Sequence, residues 1–302
     1  MKSIGFIIIT YNRPAELLAL LNNLTGLEQK ETLLQEIIIV NNDSSESYNE
    51  AELFINQHKE LPIRYIHSAE NLGVAKGRNL ALYYATAPIL VMLDDDGELQ
   101  NSNALMALDN LFNEKGESLA VASFKVNYFS TGAMQVNAFP HKQFHKRKDL
   151  HEFETYYFAG GAHAIRKTVM QELNGYPIEF FYGMEEYDLS YRIIDKGYSI
   201  LYTDAVVMLH KESPAGRPPH RDKMKMLWKN KSVVAWRYLP GVYFWTTKWM
   251  WSFEYLRKTS FDLWGWLKGW REIRTIPHSQ KRMPIGKDAL LRLKNLDARL
   301  WY

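Results

Sequence analysis

Four short strand-like runs, each separated from the next by a helical segment, constrain the fold of this chain more than any other feature. They occupy residues 4–9, 36–40, 63–67 and 87–92, all within about the first 95 residues. The first, second and fourth are too uniformly apolar for strands that expose one face to water. This β-α-β rhythm predicts an α/β fold with a mostly parallel, doubly wound sheet.

Polar clusters follow three of these runs. Thr10-Tyr11-Asn12 follows the first, Asn41 to Ser44 follows the second, and Asp94-Asp95-Asp96 follows the last. Ligands of doubly wound sheets bind where the carboxyl ends of the strands converge. Adjacent carboxylates repel one another unless a cation neutralises them, and hard oxygen ligands suit Mg²⁺ or Mn²⁺. Taken alone, Asp-Asp-Asp-Gly also fits a plain acidic turn.

The composition excludes several classes of protein. With 46% hydrophobic and 24% charged residues in 302, the chain can bury a full core and is not disordered. It has no cysteine, which excludes disulfides, cysteine-ligated metal centres and a thiol nucleophile. The first residues lack the apolar segment of a signal peptide, so a cytoplasmic location is expected.

The charge divides sharply along the chain. Residues 209–302 hold 20 of the 37 Lys and Arg but only 7 of the 34 Asp and Glu, so they carry +13 and residues 1–208 carry −10. All nine tryptophans also lie after residue 208. This shift predicts a catalytic domain over residues 1–215, followed by a basic, aromatic, helical region over residues 216–302.

Four segments, taken in order, resemble family 2 glycosyltransferases of the GT-A fold: Ile-Ile-Ile-Thr-Tyr-Asn-Arg-Pro (7–14), Val-Asn-Asn-Asp-Ser-Ser (40–45), Asn-Leu-Gly-Val-Ala-Lys-Gly-Arg-Asn (71–79) and Leu-Asp-Asp-Asp (93–96). The resemblance implies a site for a nucleoside-diphosphate sugar. Many relatives have Asp where Asn41 stands, so the base of the nucleotide stays open. The residues that the resemblance places against the donor are Thr10, Tyr11, Asn12, Arg13, Asn41, Asp43, Asn71, Gly73, Lys76, Arg78, Asn79, Asp94 and Asp95.

The segment 158–167 contains Gly160 and Gly161 and resembles the family's Gly-Gly segment beside the donor sugar. Glycines there would allow the main chain to approach a ligand closely. A plain turn before a helix over residues 167–173 is the alternative for Gly160.

A second acidic cluster, residues 184–192, resembles the family's Glu-Asp-x-Asp-Leu-Ser-x-Arg motif, which opens a helix beside the acceptor. An inverting transfer needs one carboxylate that accepts the proton of the attacking hydroxyl. Glu186, which stands where the family usually has Asp, is the predicted base, and Glu185 is the competing candidate. Asp188 is a third acid of the motif and is expected to orient the helix start or Arg192. Acids that only cap the helix are the alternative.

The last predicted strand ends at His210, where the resemblance places a second metal ligand. Asp96 is the predicted direct ligand, and Asp94 contacts either the metal through water or the ribose. A lone histidine at a strand end is more often structural. His141, His145 and His151 lie in a polar stretch and are expected to be solvated loop histidines rather than a metal site.

The basic, tryptophan-rich stretch from residue 223 to 274 predicts interfacial helices on an anionic membrane, with lysines and arginines outward. The alternative is that the tryptophans pack on the catalytic domain or across a homodimer. Nucleic acid is not an expected partner, because no nucleic-acid-binding motif is present.

The resemblance and these patterns together predict an inverting, metal-dependent glycosyltransferase at the cytoplasmic face of a bacterial membrane. Its acceptor would be a hydroxyl of a glycan, in particular a lipid-linked one, and rhamnosyl or galactosyl transfer in cell-surface polysaccharide assembly would fit. Two alternatives remain open: a nucleotidyltransferase, which has no need of the Glu185/Glu186 cluster, and a catalytically silent nucleotide-sugar-binding scaffold.

Overall fold

The computed structural model describes residues 2–301. Its strands are β1 (Ile4–Thr10), β2 (Leu34–Asn41), β3 (Ile63–His67), β4 (Ile89–Leu93), β5 (Gly97–Leu99), β6 (Leu119–Tyr128), β7 (Glu152–Thr155), β8 (Ala162–Arg166) and β9 (Ser199–His210). Its helices are α1 (Pro14–Thr25), α2 (Lys30–Leu33), α3 (Asn49–Gln57), α4 (Gly73–Tyr84), α5 (Ala104–Lys115), α6 (Phe144–Arg147), α7 (Lys167–Glu172), α8 (Glu185–Asp195), α9 (His220–Tyr238), α10 (Gly241–Lys258), α11 (Leu263–Ser279) and α12 (Lys287–Asn295).

The predicted α/β fold with a mostly parallel sheet is confirmed. In the described chain the strands form one nine-stranded sheet in the order β3-β2-β1-β4-β8-β6-β9-β5, with β7 pairing with β9. β1, β2, β3, β4, β6 and β9 run in one direction, whereas β5, β7 and β8 run in the other. The sequence did not predict those three antiparallel strands, and β8 in particular follows the Gly160-Gly161 pair directly.

Alternation along β1 divides the core into two layers. Ile4, Phe6 and Ile8 pack with the apolar faces of α1 and α5 on one side of the sheet. Ile7 belongs to the opposite layer, which is covered by α4, α8 and the C-terminal helices. Side chains of a strand alternate between its two faces, so a uniformly apolar strand indicates helices on both.

The tryptophans of the C-terminal helices divide between interior and surface. Trp228 is fully buried, and its indole donates to the carbonyl of Lys248 at 2.9 Å. Trp236, Trp251, Trp266 and Trp270 also pack against the core that reaches Ile7 and Leu90 in the sheet. Trp245, Trp249, Trp264 and Trp301 are exposed. Among residues 2–301, no helix combines the length and apolarity needed to cross a bilayer.

One expectation about the loop histidines was wrong. His141 is only 3% exposed, and its Nε2 lies 3.1 Å from the carbonyl oxygen of Leu296. Burial lowers its pKa, which favours the neutral ring. The C-terminal segment covers this loop, a long-range contact that a local polar pattern does not reveal. His145 and His151 are exposed, as expected.

We predict that Trp228→Ala lowers the free energy of unfolding by about 3–5 kcal/mol, because a fully buried indole leaves a cavity. Trp228 packs against Tyr255, Trp270 and Gly269, where an added Cβ would lie 2.4 Å from the Trp228 ring. Urea unfolding measures the change. Trp264→Ala, at a site that is 68% exposed, is the matched control and should stay within about 0.5 kcal/mol of the wild type. Equal losses in both variants would contradict the packing described.

Candidate active site

A cleft of about 1060 Å³ opens at the carboxyl ends of β1 and β4. It lies at the sheet edge where the sequence predicted the site. The parallel pairing of β1 with β2 and β4 brings the loops after these strands together. The predicted site residues that line the cleft are Tyr11, Arg13, Asn71, Gly73, Arg78, Asp94, Asp95, Asp96, Gly160, Gly161, Glu186 and His210.

Other predicted site residues do not line the cleft, and some of them bond the loops around it. The side-chain oxygen of Asn12 accepts from the backbone N–H of Ser45 at 2.8 Å. Asn41 is buried and donates to the hydroxyl of Tyr65 at 3.0 Å. The remaining members of this group are Thr10, Asp43, Lys76, Asn79, Glu185, Asp188 and Arg192.

A short antiparallel pairing completes an acidic centre. In the register of β5 with β9, Gly97 lies opposite His210, which carries this histidine to the three aspartates. Asp94, Asp96 and His210 each offer a ligand atom, and these atoms all lie within 4.8 Å of one another. His210 Nδ1 lies 2.8 Å from Gln135 Oε1, which can only accept, so Nε2 is left facing Asp96 at 3.4 Å.

The donor set fits a divalent cation. Two carboxylates and one imidazole are ligands typical of Mn²⁺ and related ions. Asp96 Oδ1 is buried and has no hydrogen-bond partner in the described chain. A bound cation would satisfy this buried oxygen. Burial opposes ionisation of Asp96, but His210 and Arg13 outweigh it and lower the pKa.

Asp95 pairs with Arg13 and is not part of the Asp94, Asp96 and His210 cluster. It is buried, and its Oδ1 accepts from Arg13 Nη1 at 2.7 Å. Burial raises its pKa to about 7, assisted by the charge of Asp96 and opposed by Arg13. Arg13 also donates to the carbonyl oxygens of Ser213 and Ala215, so this pair ties the loop after β9 to the acidic centre.

Arg78 joins the two acidic parts of the site. Its guanidinium nitrogens lie 3.5 Å from Asp94, 3.3 Å from Glu186 and 3.7 Å from Glu185. The guanidinium also sits over the Tyr176 ring, 5.5 Å from its centroid. These contacts raise the pKa of Arg78 even though burial opposes the charge. The Arg78 side chain is therefore a permanent cation between Asp94, a candidate metal ligand, and Glu186, the predicted base.

The two glutamates at the start of α8 have different access to the cleft. Glu186 lines it, whereas Glu185 is buried behind and does not. Burial raises the pKa of both, and the charge of Glu186 raises that of Glu185 further. Arg78 opposes the shift and favours the carboxylate form of Glu186. Of the two, Glu186 has the position of a base that reaches a ligand.

Gly160 lies against the carboxylate of Glu186, and Gly161 lies against that of Asp94. A Cβ at Gly160 would lie 1.8 Å from Glu186 Oε1, and one at Gly161 would lie 2.0 Å from Asp94 Cγ. No side chain fits at either position without moving a carboxylate. The need for glycine here is therefore steric and does not come from a turn conformation.

Several cleft residues were not predicted from the sequence. Arg217 lies 3.5 Å from Asp96, in the Pro- and Gly-containing segment that follows β9. No local sequence pattern predicts a functional role for Gln135, which orients His210. Tyr157, Tyr187, Lys231 and Arg299 also line the cleft, and the last two come from the basic C-terminal region.

The chain is similar to known proteins in sequence and in fold. The sequence model described as Glycosyl transferase family 2 matches residues 6–173. An uncharacterised protein of Haemophilus influenzae is 28% identical over 179 residues, which are 58% of this chain and 92% of the relative. An uncharacterised glycosyltransferase of Bacillus subtilis is 32% identical over 93 residues, which are 31% of this chain and 32% of the relative.

Solved structures share the fold across the described chain. S. aureus TarS 1-349 in complex with UDP-GlcNAc has a TM-score of 0.63 at 14% identity and covers 100% of this chain and 89% of its own. The mannosyltransferase from Pyrobaculum calidifontis in complex with GDP-Man and Mn²⁺ has a TM-score of 0.61 at 16% identity, covering 99% and 80%. GalNAc-T7 with UDP, GalNAc and Mn²⁺ has a TM-score of 0.63 at 16% identity, covering 82% of this chain and 50% of its own.

We expect Mn²⁺ affinity, measured by calorimetry with the metal alone, to fall about tenfold or more in Asp96→Asn and in His210→Ala. Gln135→Leu should weaken it about tenfold, since it removes the acceptor that orients the imidazole. Asp95→Asn is the matched control. Its carboxylate faces Arg13, so Mn²⁺ affinity should be retained, and a loss as large as that in Asp96→Asn would contradict the assignment.

Proposed function

Because this chain belongs to glycosyl transferase family 2 and has the GT-A fold, we propose that it is an inverting enzyme. It would move the sugar of a nucleoside diphosphate sugar to a hydroxyl of a glycan acceptor. The observation that carries the proposal is the contact of Arg78 with both Asp94 and Glu186, which sets a donor-side acidic centre and an acceptor-side carboxylate at a fixed separation.

On the donor side, the proposed partner is a diphosphate. Asp94, Asp96 and His210 would hold Mg²⁺ or Mn²⁺, which when bound neutralises the diphosphate and stabilises the leaving group. Arg13 and Arg217, which both contact Asp96, supply further positive charge there. Solved relatives hold UDP-GlcNAc or GDP-Man, so the proposal names the class of donor and not its base or sugar.

On the acceptor side, Glu186 would accept the proton of the attacking hydroxyl. Burial raises the pKa of Glu186, and Arg78, 3.3 Å away, opposes that shift and favours the carboxylate form. The glycine pair leaves the space in front of the carboxyl group open. The base acts across the sugar from the leaving diphosphate, which is the arrangement an inverting displacement requires. Asp188, a buried residue of α8 that is bonded to Arg237 and Tyr238, would position this helix instead of reacting.

We further propose that the C-terminal helices contact the cytoplasmic face of an anionic membrane, where a lipid-linked acceptor for surface polysaccharide synthesis would lie. Trp245, Trp249 and Phe253 are spaced by four residues and form an exposed stripe on α10. The exposed Lys268 lies over the exposed Trp264 ring at 5.2 Å from its centroid, whereas Lys248, which lies over the Trp245 ring, is buried. Exposed rings paired with cations suit an anionic lipid surface.

We predict that Glu186→Gln lowers sugar transfer about 10²- to 10⁴-fold, the usual contribution of a general base. The amide keeps its place beside Arg78, so nucleotide-sugar binding, followed by thermal shift with Mn²⁺, should persist. Glu185→Gln is the matched control, because Glu185 does not line the cleft. Unchanged turnover in Glu186→Gln would remove the base assignment, and the absence of metal-dependent nucleotide binding in the wild type would remove the proposed reaction.

We also predict that the double variant Phe253→Ser/Trp264→Ser partitions about tenfold less onto phosphatidylserine vesicles, since each ring would lose apolar burial. Sedimentation at low and high salt measures the binding, which salt should weaken. Tyr83→Ser, at an 82% exposed site on α4, is the control and should bind as the wild type does. Unchanged vesicle binding would contradict the proposal, and a dimer lost in the double variant would assign the face to self-association.

A further inference from the structure

The turn that leads into α8 has an unfavourable backbone conformation. Gly183 has a φ of +80° and Met184 a φ of +75°, so two consecutive residues are left-handed. Met184 carries a Cβ, for which this conformation is sterically unfavourable. Glu185 begins α8 directly afterwards, and Glu186, the proposed base, is the next residue. The conformation of this turn therefore determines where the carboxyl group of the base lies.

Asn230 on α9 is bonded to this turn. It is 4% exposed, and its amide nitrogen donates to the carbonyl oxygens of Tyr182 at 3.1 Å and of Gly183 at 2.9 Å. A carbonyl oxygen can only accept, so both amide protons of Asn230 are used on the turn. Helix α9 also approaches the turn closely, since a Cβ at Gly183 would lie 2.5 Å from Leu227 Cδ2.

The same helix is bonded to the chain on the other side of the base. Arg237 is seven residues after Asn230, about two helical turns, and so lies on the same face of α9. Its guanidinium donates to Asp188 at 3.0 Å and also pairs with Glu179, ahead of the turn. The hydroxyl of Tyr238 donates to Asp188 at 2.9 Å. Helix α9 thus bonds the chain both before and after the proposed base.

The position of the Glu186 carboxyl group has little tolerance. Its Oε1 lies 3.3 Å from Arg78 Nη1, and a Cβ at Gly160 would lie 1.8 Å from the same oxygen. A general base must come within about 2.6–3.2 Å of the group whose proton it accepts. A displacement of about 1 Å can cost about 10²-fold in rate.

We propose that Asn230 is a positioning residue for the base. It holds the turn at residues 182–184 and thereby sets the Glu186 carboxylate beside Arg78 and in front of Gly160. The proposal rests on the glycosyltransferase function proposed above. Asn230 does not line the cleft, so it acts on the reaction through the turn and not by contact with a substrate.

Asn230→Leu tests the proposal, because leucine has a similar volume and no hydrogen-bond donor. Turnover is followed as hydrolysis, with Mn²⁺, of whichever of UDP-GlcNAc, UDP-galactose, GDP-Man and dTDP-rhamnose stabilises the wild type most in a thermal shift. Water replaces the acceptor hydroxyl, so the acceptor need not be known. We expect kcat to fall about 10²-fold while KM for the nucleotide sugar stays within about twofold, because Asn230 bonds the base side of the site alone. Unchanged kcat would overturn the proposal.

Ser232→Ala is the matched control on the same helix. Ser232 is fully buried, and its hydroxyl donates to the carbonyl oxygen of Trp228 at 2.8 Å, within α9. The variant loses a buried hydrogen bond while the turn keeps both of its donors, so kcat should stay within about twofold of the wild type. A fall as large as that in Asn230→Leu would assign the effect to the packing of α9 and would overturn the proposal.

A second variant keeps the proposal testable if Asn230→Leu does not fold. Tyr238→Phe keeps the buried ring and removes only the hydroxyl that donates to Asp188. We expect a smaller fall in kcat, about fivefold, again with KM for the nucleotide sugar unchanged. Unchanged kcat in this variant, where Asn230→Leu does not fold, would overturn the proposal.

Hydrogen exchange needs no turnover and separates failure of this proposal from failure of the proposed reaction. The amide of Asp188 donates to the carbonyl oxygen of Met184 at 3.1 Å, across the first turn of α8. It should exchange about tenfold faster in Asn230→Leu, whereas the amides of β1 should not change. Equal exchange in the variant and the wild type would overturn the proposal, whether or not the protein transfers sugar. Faster exchange with unchanged kcat would limit Asn230 to stability and would overturn the positioning role. Absence of turnover in the wild type would instead remove the proposed reaction.

Discussion

The buried guanidinium of Arg78 is the interaction on which the site depends, because it compensates carboxylates from two separate parts of the chain. Asp94 follows β4, and Glu185 and Glu186 begin α8 about ninety residues later. Removing one partner of a buried ion pair leaves an uncompensated charge and costs far more than the pair contributes on balance. Arg78 is itself fixed by α4, whose first turn is held by the bond from Val74 N–H to the Phe181 carbonyl at 2.9 Å.

Steric exclusion then determines what can enter between the acids. A Cβ at position 160 would clash with the Glu186 carboxylate, and one at position 161 would clash with that of Asp94, so only glycine fits at either position. Electrostatics holds the two acids to Arg78, and the absence of side chains keeps the space before them open to a ligand.

The sequence predicted the parts of this site that depend on local pattern. Parallel strands end at a common edge, so the polar clusters after β1, β2 and β4 were expected to meet, and His210 was expected there by resemblance. β5 was not predicted, since three residues carry no usable period, yet its pairing with β9 is what sets His210 opposite Gly97. Gln135 was missed, and His141 was wrongly expected to be solvated, because their partners lie 75 and 155 residues away in the sequence.

The C-terminal helices connect the acceptor side of the cleft with the protein surface. Asp188 on α8 accepts from Arg237 at 3.0 Å and Tyr238 at 2.9 Å, so α9 is bonded directly to the helix that carries Glu186. Two faces of α10 differ in their surroundings. Trp251 and Lys258 line the cleft, whereas Trp245, Trp249 and Phe253 are exposed. A helix of 3.6 residues per turn can present both stripes at once. The exposed stripe and the residues of α10 that line the cleft are therefore separated by one helix diameter, about 10 Å.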